Sequence, residues 1–112
     1  MRSLIPVQML RIFVGESHKH AGIPVYEKIL LKAREMQLTG ATVFRGIAGY
    51  GSSKIIHTSK LLDIRENLPL IVEIIDTPEK IAAFLHFVEE ITPDSLITIE
   101  NISARIPDKK PA

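Results

Sequence analysis

Cysteine is missing from this chain, and so is tryptophan. Without thiols there is no disulfide framework, no cysteine nucleophile and no thiolate-held zinc or iron–sulfur centre. Aromatic residues are scarce, with two Tyr and four Phe among 112 residues, so the core has to be aliphatic. A surplus of either charge is lacking too. Fourteen Lys and Arg stand against 13 Asp and Glu, which is not the basic excess of a protein that coats nucleic acid. No apolar run approaches the roughly 20 residues that span a bilayer. The apolar start at residues 1–6 is too short for a signal peptide's hydrophobic region. The expectation is a soluble, unexported, cytoplasmic protein without a nucleic-acid partner. Its length suits one domain over residues 1–112. A chain of this size buries about two-thirds of its unfolded surface, enough for a core without staples.

What is present reads as alternating strands and helices. Residues 7–14 (VQMLRIFV) are β-branched and aromatic with one charge, Arg11, the composition of a strand. A polar loop follows over residues 15–22. Pro24 suits the first turn of a helix, and Tyr26, Ile29, Leu30, Ala33 and Met36 recur at helical spacing on one face. Gly40 is placed to end that helix in the left-handed conformation. Residues 41–47 form a second strand. Residues 46–67 lose periodicity and read as a long loop, with a short strand at Lys60 to Ile64. Residues 68–76 (LPLIVEIID) are the strongest strand. Thr77 caps a second helix with Pro78 at its first position, and Ile81, Phe84, Leu85, Val88 and Ile91 share a face. A last strand runs over residues 96–106. The order β-α-β-β-α-β predicts an α+β, ferredoxin-like fold: a four-stranded antiparallel sheet with both helices on one face.

Such a sheet leaves its second face open, and that face is expected to be polar. Here it is not. Met9 and Phe13 oppose Leu10, Ile12 and Val14, and Ile71 and Ile75 oppose Leu70, Val72 and Ile74. With both helices spent on the first face, the second predicts a homo-oligomer packed sheet against sheet.

Chemistry-bearing residues are few. Gly46, Gly49 and Gly51 cluster at the end of the second strand, where backbone N–H groups could approach a phosphate. A bulged strand end is the plainer alternative. No Walker lysine follows, and no helix opens there as in a Rossmann fingerprint. Glu16, His18 and His20 could contribute to a metal site, yet a solvated loop explains them as well, and no metal is assigned. His57 lies in the long loop and His86 on the second helix, neither with a partner visible in sequence. Glu73 interrupts an apolar strand and is expected to pair with a cation, Arg11 or Arg45. No nucleophile elbow, HExxH or Asp-rich loop appears, so the chain is not read as an enzyme.

Residues 44–51 (FRGIAGYG), 56–62 (IHTSKLL) and 68–76, together with Gly15-Glu16-Ser17 and residues 24–27 (PVYE), resemble a family of uncharacterised prokaryotic proteins in the PII-like signalling superfamily. The resemblance spans about residues 7–106. It implies a homotrimer that binds an adenine nucleotide (ATP, ADP or AMP) in intersubunit clefts. It further implies a mobile loop, here about residues 49–67, reporting to a regulated protein, with a membrane transporter among the candidates. The nucleotide is then expected at Arg45, Gly46, Gly49, Tyr50 and Gly51, with Arg105, Lys109 and Lys110 reaching in from a neighbouring subunit. The chain departs from PII proteins in two places. The tyrosine that they modify has no identifiable counterpart, Tyr50 standing too close to the strand end. Where they carry a glycine-rich phosphate loop before the last strand, this chain has Thr92-Pro93-Asp94-Ser95. Two rivals stand beside it: a metal-linked trimer like the divalent-cation-tolerance proteins, which share the fold and assembly and would rest on Glu16, His18 and His20, and a small enzyme using the intersubunit cleft with Glu73 as base.

Overall fold

The computed structural model describes residues 3–58 and 67–107. The expected strand at Lys60 to Ile64 and the cations Lys109 and Lys110 lie outside the described residues. The chain runs β1 (Ile5–Gly15), β2 (Lys19–His20), β3 (Ile23–Pro24), α1 (Val25–Glu35), β4 (Ala41–Arg45), β5 (Ala48–Gly49), β6 (His57–Thr58), β7 (Pro69–Asp76), α2 (Pro78–Ile91) and β8 (Leu96–Ala104). The four long strands form one sheet in the order β4-β7-β1-β8, with every neighbouring pair antiparallel. This is the ferredoxin-like arrangement expected from the sequence. Among the described residues no helix is long and apolar enough to cross a membrane.

Alternation along β1 and β7 decides which face folds inward. Leu10, Ile12, Val14, Leu70, Val72 and Ile74 are buried and pack against Val25, Ile29 and Ala33 of α1 and Ile81, Phe84, Val88 and Ile91 of α2. Both helices therefore cover the same face. The other face carries Met9, Phe13, Ile71 and Ile75, each partly exposed, and Phe44 and Leu96 at its flanks, 49% and 63% exposed. Arg11 stands directly opposite Glu73 in the ladder, and its Nε donates to Glu73 Oε2 at 3.0 Å. The expected ion pair forms with Arg11 rather than Arg45, because the register puts Arg11 across from Glu73, while Arg45 faces Leu70.

The ends of α1 and α2 are built differently. Thr77 caps α2 as expected: its Oγ1 accepts from Lys80 N at 3.4 Å, with Pro78 in the first turn. Pro24 sits one residue before α1, in extended backbone (φ −54°, ψ 133°). Gly40 does not end that helix. The left-handed residue is Gln37 (φ 59°), whose N–H donates to Arg34 O while Leu38 N donates to Ala33 O. That bond pair is a Schellman motif, and it closes three residues before the glycine. Leu38 folds back into the core cluster beside Ala33, which fixes the turn at Gln37. Beyond it the buried carboxylate of Asp76 accepts from Thr39 N and from Thr77 N, both at 2.7 Å. One side chain so holds the exit of α1 and the entry of α2.

Candidate functional site: a cleft at one end of the sheet

The end of β1 and the start of β7 meet at a close contact. Glu16 N donates to Leu68 O at 2.9 Å, and Ser17 N donates to Asn67 Oδ1 at 2.8 Å. A Cβ at Gly15 would lie 2.6 Å from that same Asn67 oxygen, so a side chain there would displace the Asn67 amide. After Arg45 the chain leaves the sheet with one further ladder bond, Gly46 N to Pro69 O at 2.7 Å. It then makes a short two-stranded ladder, Ala48 opposite Thr58 and Gly49 opposite His57. The segment read from sequence as one loop thus begins as a small hairpin. Its tip turns at residues 51–54, where Lys54 (φ 63°) donates its N–H to Gly51 O at 3.0 Å. On the opposite side, residues 15–24 also fold, pairing Lys19 with Pro24 and His20 with Ile23. The two-residue turn Ala21-Gly22 has positive φ at both positions (52° and 82°), a type I′ hairpin.

These pieces enclose a cleft of about 710 Å³, within the size range of small-molecule sites. One wall is the hairpin tip, Gly49 to Ser53 with His57; another is Ser17 and His18 after β1; Asn67 and Pro69 form the floor; the α2–β8 turn, Thr92 to Ser95, closes the far side. Thr92 is buried and its hydroxyl contacts that of Ser95, so the turn is held from within. The polar groups converging on the cleft are hydroxyls, an amide, two imidazoles and the Asp94 carboxylate.

The structure gathers some of the expected site residues and separates others. Gly49, Tyr50 and Gly51 line the cleft, Tyr50 being 64% exposed with Lys54 Nζ 5.5 Å from its ring centre. Gly46 and Arg45 do not line it. Gly46 packs on Pro69, whose Cγ a Cβ would approach to 2.8 Å, and Gly49 packs on the same ring at 3.1 Å. Contact with Pro69, rather than a left-handed backbone, thus accounts for glycine at positions 46 and 49. Neither Gly46, Gly49 nor Gly51 has positive φ, and the first two are small because Pro69 is there. Arg45 is held by Glu16, Nε to Oε2 at 2.8 Å and a second guanidinium nitrogen to Oε1 at 3.0 Å. Arg105 follows β8, whose last residue Ala104 pairs with Ile5 at the far end of the sheet. Nine residues of strand set it roughly 30 Å from Leu96 at the cleft. Within one protomer it does not meet the glycines.

The rival chemistries receive little geometry. Glu16 is engaged by Arg45, and His20 Nδ1 lies 2.6 Å from Lys28 Nζ, so the loop set Glu16, His18, His20 does not converge. No group of three or more metal-ligating side chains occurs among the described residues. Glu73 sits against Arg11 on the open face, away from the cleft. Sequence reasoning missed the cleft positions of Ser17, His18, His57 and Asn67, and met Thr92–Ser95 only as what stands in place of a phosphate loop. The dipeptide Ala21-Gly22 is the one local signal that could have located the first wall.

Comparison with known proteins fits this architecture. The model of the DUF190 family, described as an uncharacterized ACR family, matches residues 7–104. A UPF0166 protein of Aquifex aeolicus is 46% identical over 101 residues, covering 88% of this chain and 93% of its own. Among solved structures, CPII of Thiomonas intermedia K12, a nitrogen regulatory PII-like protein bound to ADP, AMP and bicarbonate, superposes with a TM-score of 0.66 at 17% identity, covering 91% of both chains. The divalent ion tolerance protein CutA1 of Ehrlichia chaffeensis gives a TM-score of 0.59 at 13% identity, covering 86% of this chain and 80% of its own. At such identities the likeness is one of fold.

Proposed function

This chain belongs to the DUF190 family, and from that premise we propose that it is a regulatory protein that binds an adenine nucleotide in the cleft at the end of its sheet. The observation that carries this reading is the cleft itself: a glycine-bearing hairpin tip faces the α2–β8 turn across a space of about 710 Å³. Its floor is apolar at Pro69, suiting a purine face, and its walls carry hydroxyls, an amide and two imidazoles, suiting sugar and phosphate. The same fold in CPII is found with ADP and AMP. A Cβ built at Gly51 would meet nothing within 4 Å among the described residues, and the exposed Ile47, Tyr50, Ile55 and Ile56 give the hairpin a surface on which a bound nucleotide could be reported to a partner. That partner is a regulated protein, with a membrane transporter among the candidates. No side chain is assigned a catalytic role.

The assembly proposed with it is a homotrimer built on the open sheet face, which also lets Arg105 of one subunit approach another's cleft. Calorimetry with ATP, ADP and AMP tests the reading. Binding in the micromolar range supports it, and failure of all three at millimolar concentration removes it. A thermal-shift series with divalent cations run alongside tests the CutA1-like alternative, because a ligand that binds only the folded chain raises the melting point.

A further inference from the structure

The cleft presents an electrostatic puzzle: among the described residues its lining includes no lysine and no arginine. Its titratable side chains are His18, His57, Tyr50 and Asp94. An anionic ligand there needs positive charge, and the two imidazoles are the side chains of the lining able to acquire it. They come from opposite walls, His18 from the loop after β1 and His57 from the returning strand of the hairpin. Neither ring has a hydrogen-bond partner among the described residues, whereas the ring of His20 contacts Lys28 and His86 lies exposed on α2. The backbones of both are fixed. His18 N donates to Gly15 O and its carbonyl accepts from Val25 N, while His57 is laddered to Gly49.

We propose that His18 and His57 are the anion-contacting side chains of this cleft, so that affinity for a phosphate-bearing ligand rises as pH falls. The proposal rests on the nucleotide reading for the ligand's identity, though not for its chemistry. Imidazole is the side chain that gains its charge between about pH 8 and 5, and an imidazolium donates from both ring nitrogens to anionic oxygens. The other charges nearby modulate this without replacing it. Asp94 from the α2–β8 turn also lines the cleft, and its carboxylate opposes an anion there. Glu16, adjacent to His18's loop, is neutralised by Arg45. Lys54 lies over Tyr50, and Lys19 follows His18 on an exposed strand. Linkage gives the sign: if the anion binds the protonated rings more tightly, bound anion raises their titration midpoints by the same coupling.

The test follows the four histidine rings by NMR from pH 5 to 8.5, with and without sodium sulfate, a dianion that does not itself titrate in this range. His18 and His57 are expected to shift upward with sulfate while His86 serves as the unmoved reference. In parallel, ADP affinity is measured at pH 6 and 8 for the wild type, His18→Gln, His57→Gln and the double variant, with adenosine as the uncharged control. The wild type should bind ADP about tenfold more tightly at pH 6 than at pH 8, beyond the change caused by the ligand's own phosphate, and the double variant should lose that excess. Adenosine affinity should be indifferent to both substitutions. Sulfate shifts in the absence of any ADP binding would sustain the anion site and remove only the adenine ligand. If sulfate moves His18 and His57 no more than His86, and the double variant keeps the wild-type pH dependence, the proposal is overturned.

Discussion

The two faces of the central sheet both carry apolar residues, the open one with an ion pair among them, and they have different fates in the fold. On the helix-covered face Leu10, Ile12, Val72 and Ile74 are fully buried and surrounded by both helices. On the other, Met9, Phe13, Ile71 and Ile75 remain partly exposed, with an Arg11–Glu73 pair at 3.0 Å among them. The first face is what one protomer needs in order to fold. The second contributes little to that and leaves an apolar surface of the kind that soluble proteins reserve for association. Changes on the two faces should therefore be read out by different instruments.

The largest effect is expected on the covered face. Phe84 is completely buried between α2 and the sheet, and Phe84→Ala should cost about 3–5 kcal/mol of folding stability, measured by denaturant unfolding. A loss under about 1 kcal/mol would mean that the core is not as tight as the burial indicates. Next comes Ile71→Lys on the open face. Light scattering of the wild type is expected to report three times the 12.5 kDa chain mass. The variant should shift toward the monomer with its far-UV circular dichroism retained, because an unpaired charge is costly only where the face is buried. A wild type that is monomeric at micromolar concentration would erase the contrast between the faces.

Much of this was legible in the letters, and the misses have physical causes. Alternation in residues 68–76 and helical spacing in residues 78–91 reported the sheet, the helices and the shared covered face, because burial acts on every second or every third-to-fourth residue. Two-residue ladders such as Ala48–Gly49 with His57–Thr58 leave no period to detect. The stop at Gln37 was hidden because a Schellman motif is closed by backbone bonds and a buried Leu38, so a non-glycine residue can occupy its left-handed position. The cleft was half legible. Gly49 to Gly51 announce themselves, but His18, His57, Asn67 and Thr92 to Ser95 come from separate stretches that only the fold brings together. Arg105 was assigned on resemblance, and the strand it follows carries it to the other end of its own protomer.

Two smaller changes sharpen the comparison. Glu73→Gln removes one partner of a pair whose side chains are 40% and 20% exposed. It should cost up to about 1 kcal/mol in a dissociated protomer and more in the proposed trimer, if the open face is buried there. Unfolding curves across a range of protein concentration separate the two terms, and equal costs throughout would argue that the pair stays wet. The smallest effect lies away from both faces. Gln37→Gly relieves a left-handed residue at the end of α1 and should stabilise by about 0.5–1 kcal/mol, seen as a rise in melting temperature with no change in oligomeric state.

The strand order β4-β7-β1-β8 also bears on how the chain is made. β1 leaves the ribosome first, yet it is the strand that lies between the last two to be synthesised. Arg11 bonds a residue 62 positions later, and Gln8 donates to Asn101, 93 positions later. Contacts so distant in sequence close slowly, since the loop entropy comes before the reward. Until Leu96–Ala104 has emerged, the edge of β1 that will pair with it stays open. This chain can begin to collapse during translation, but its sheet is completed only as the last strand arrives.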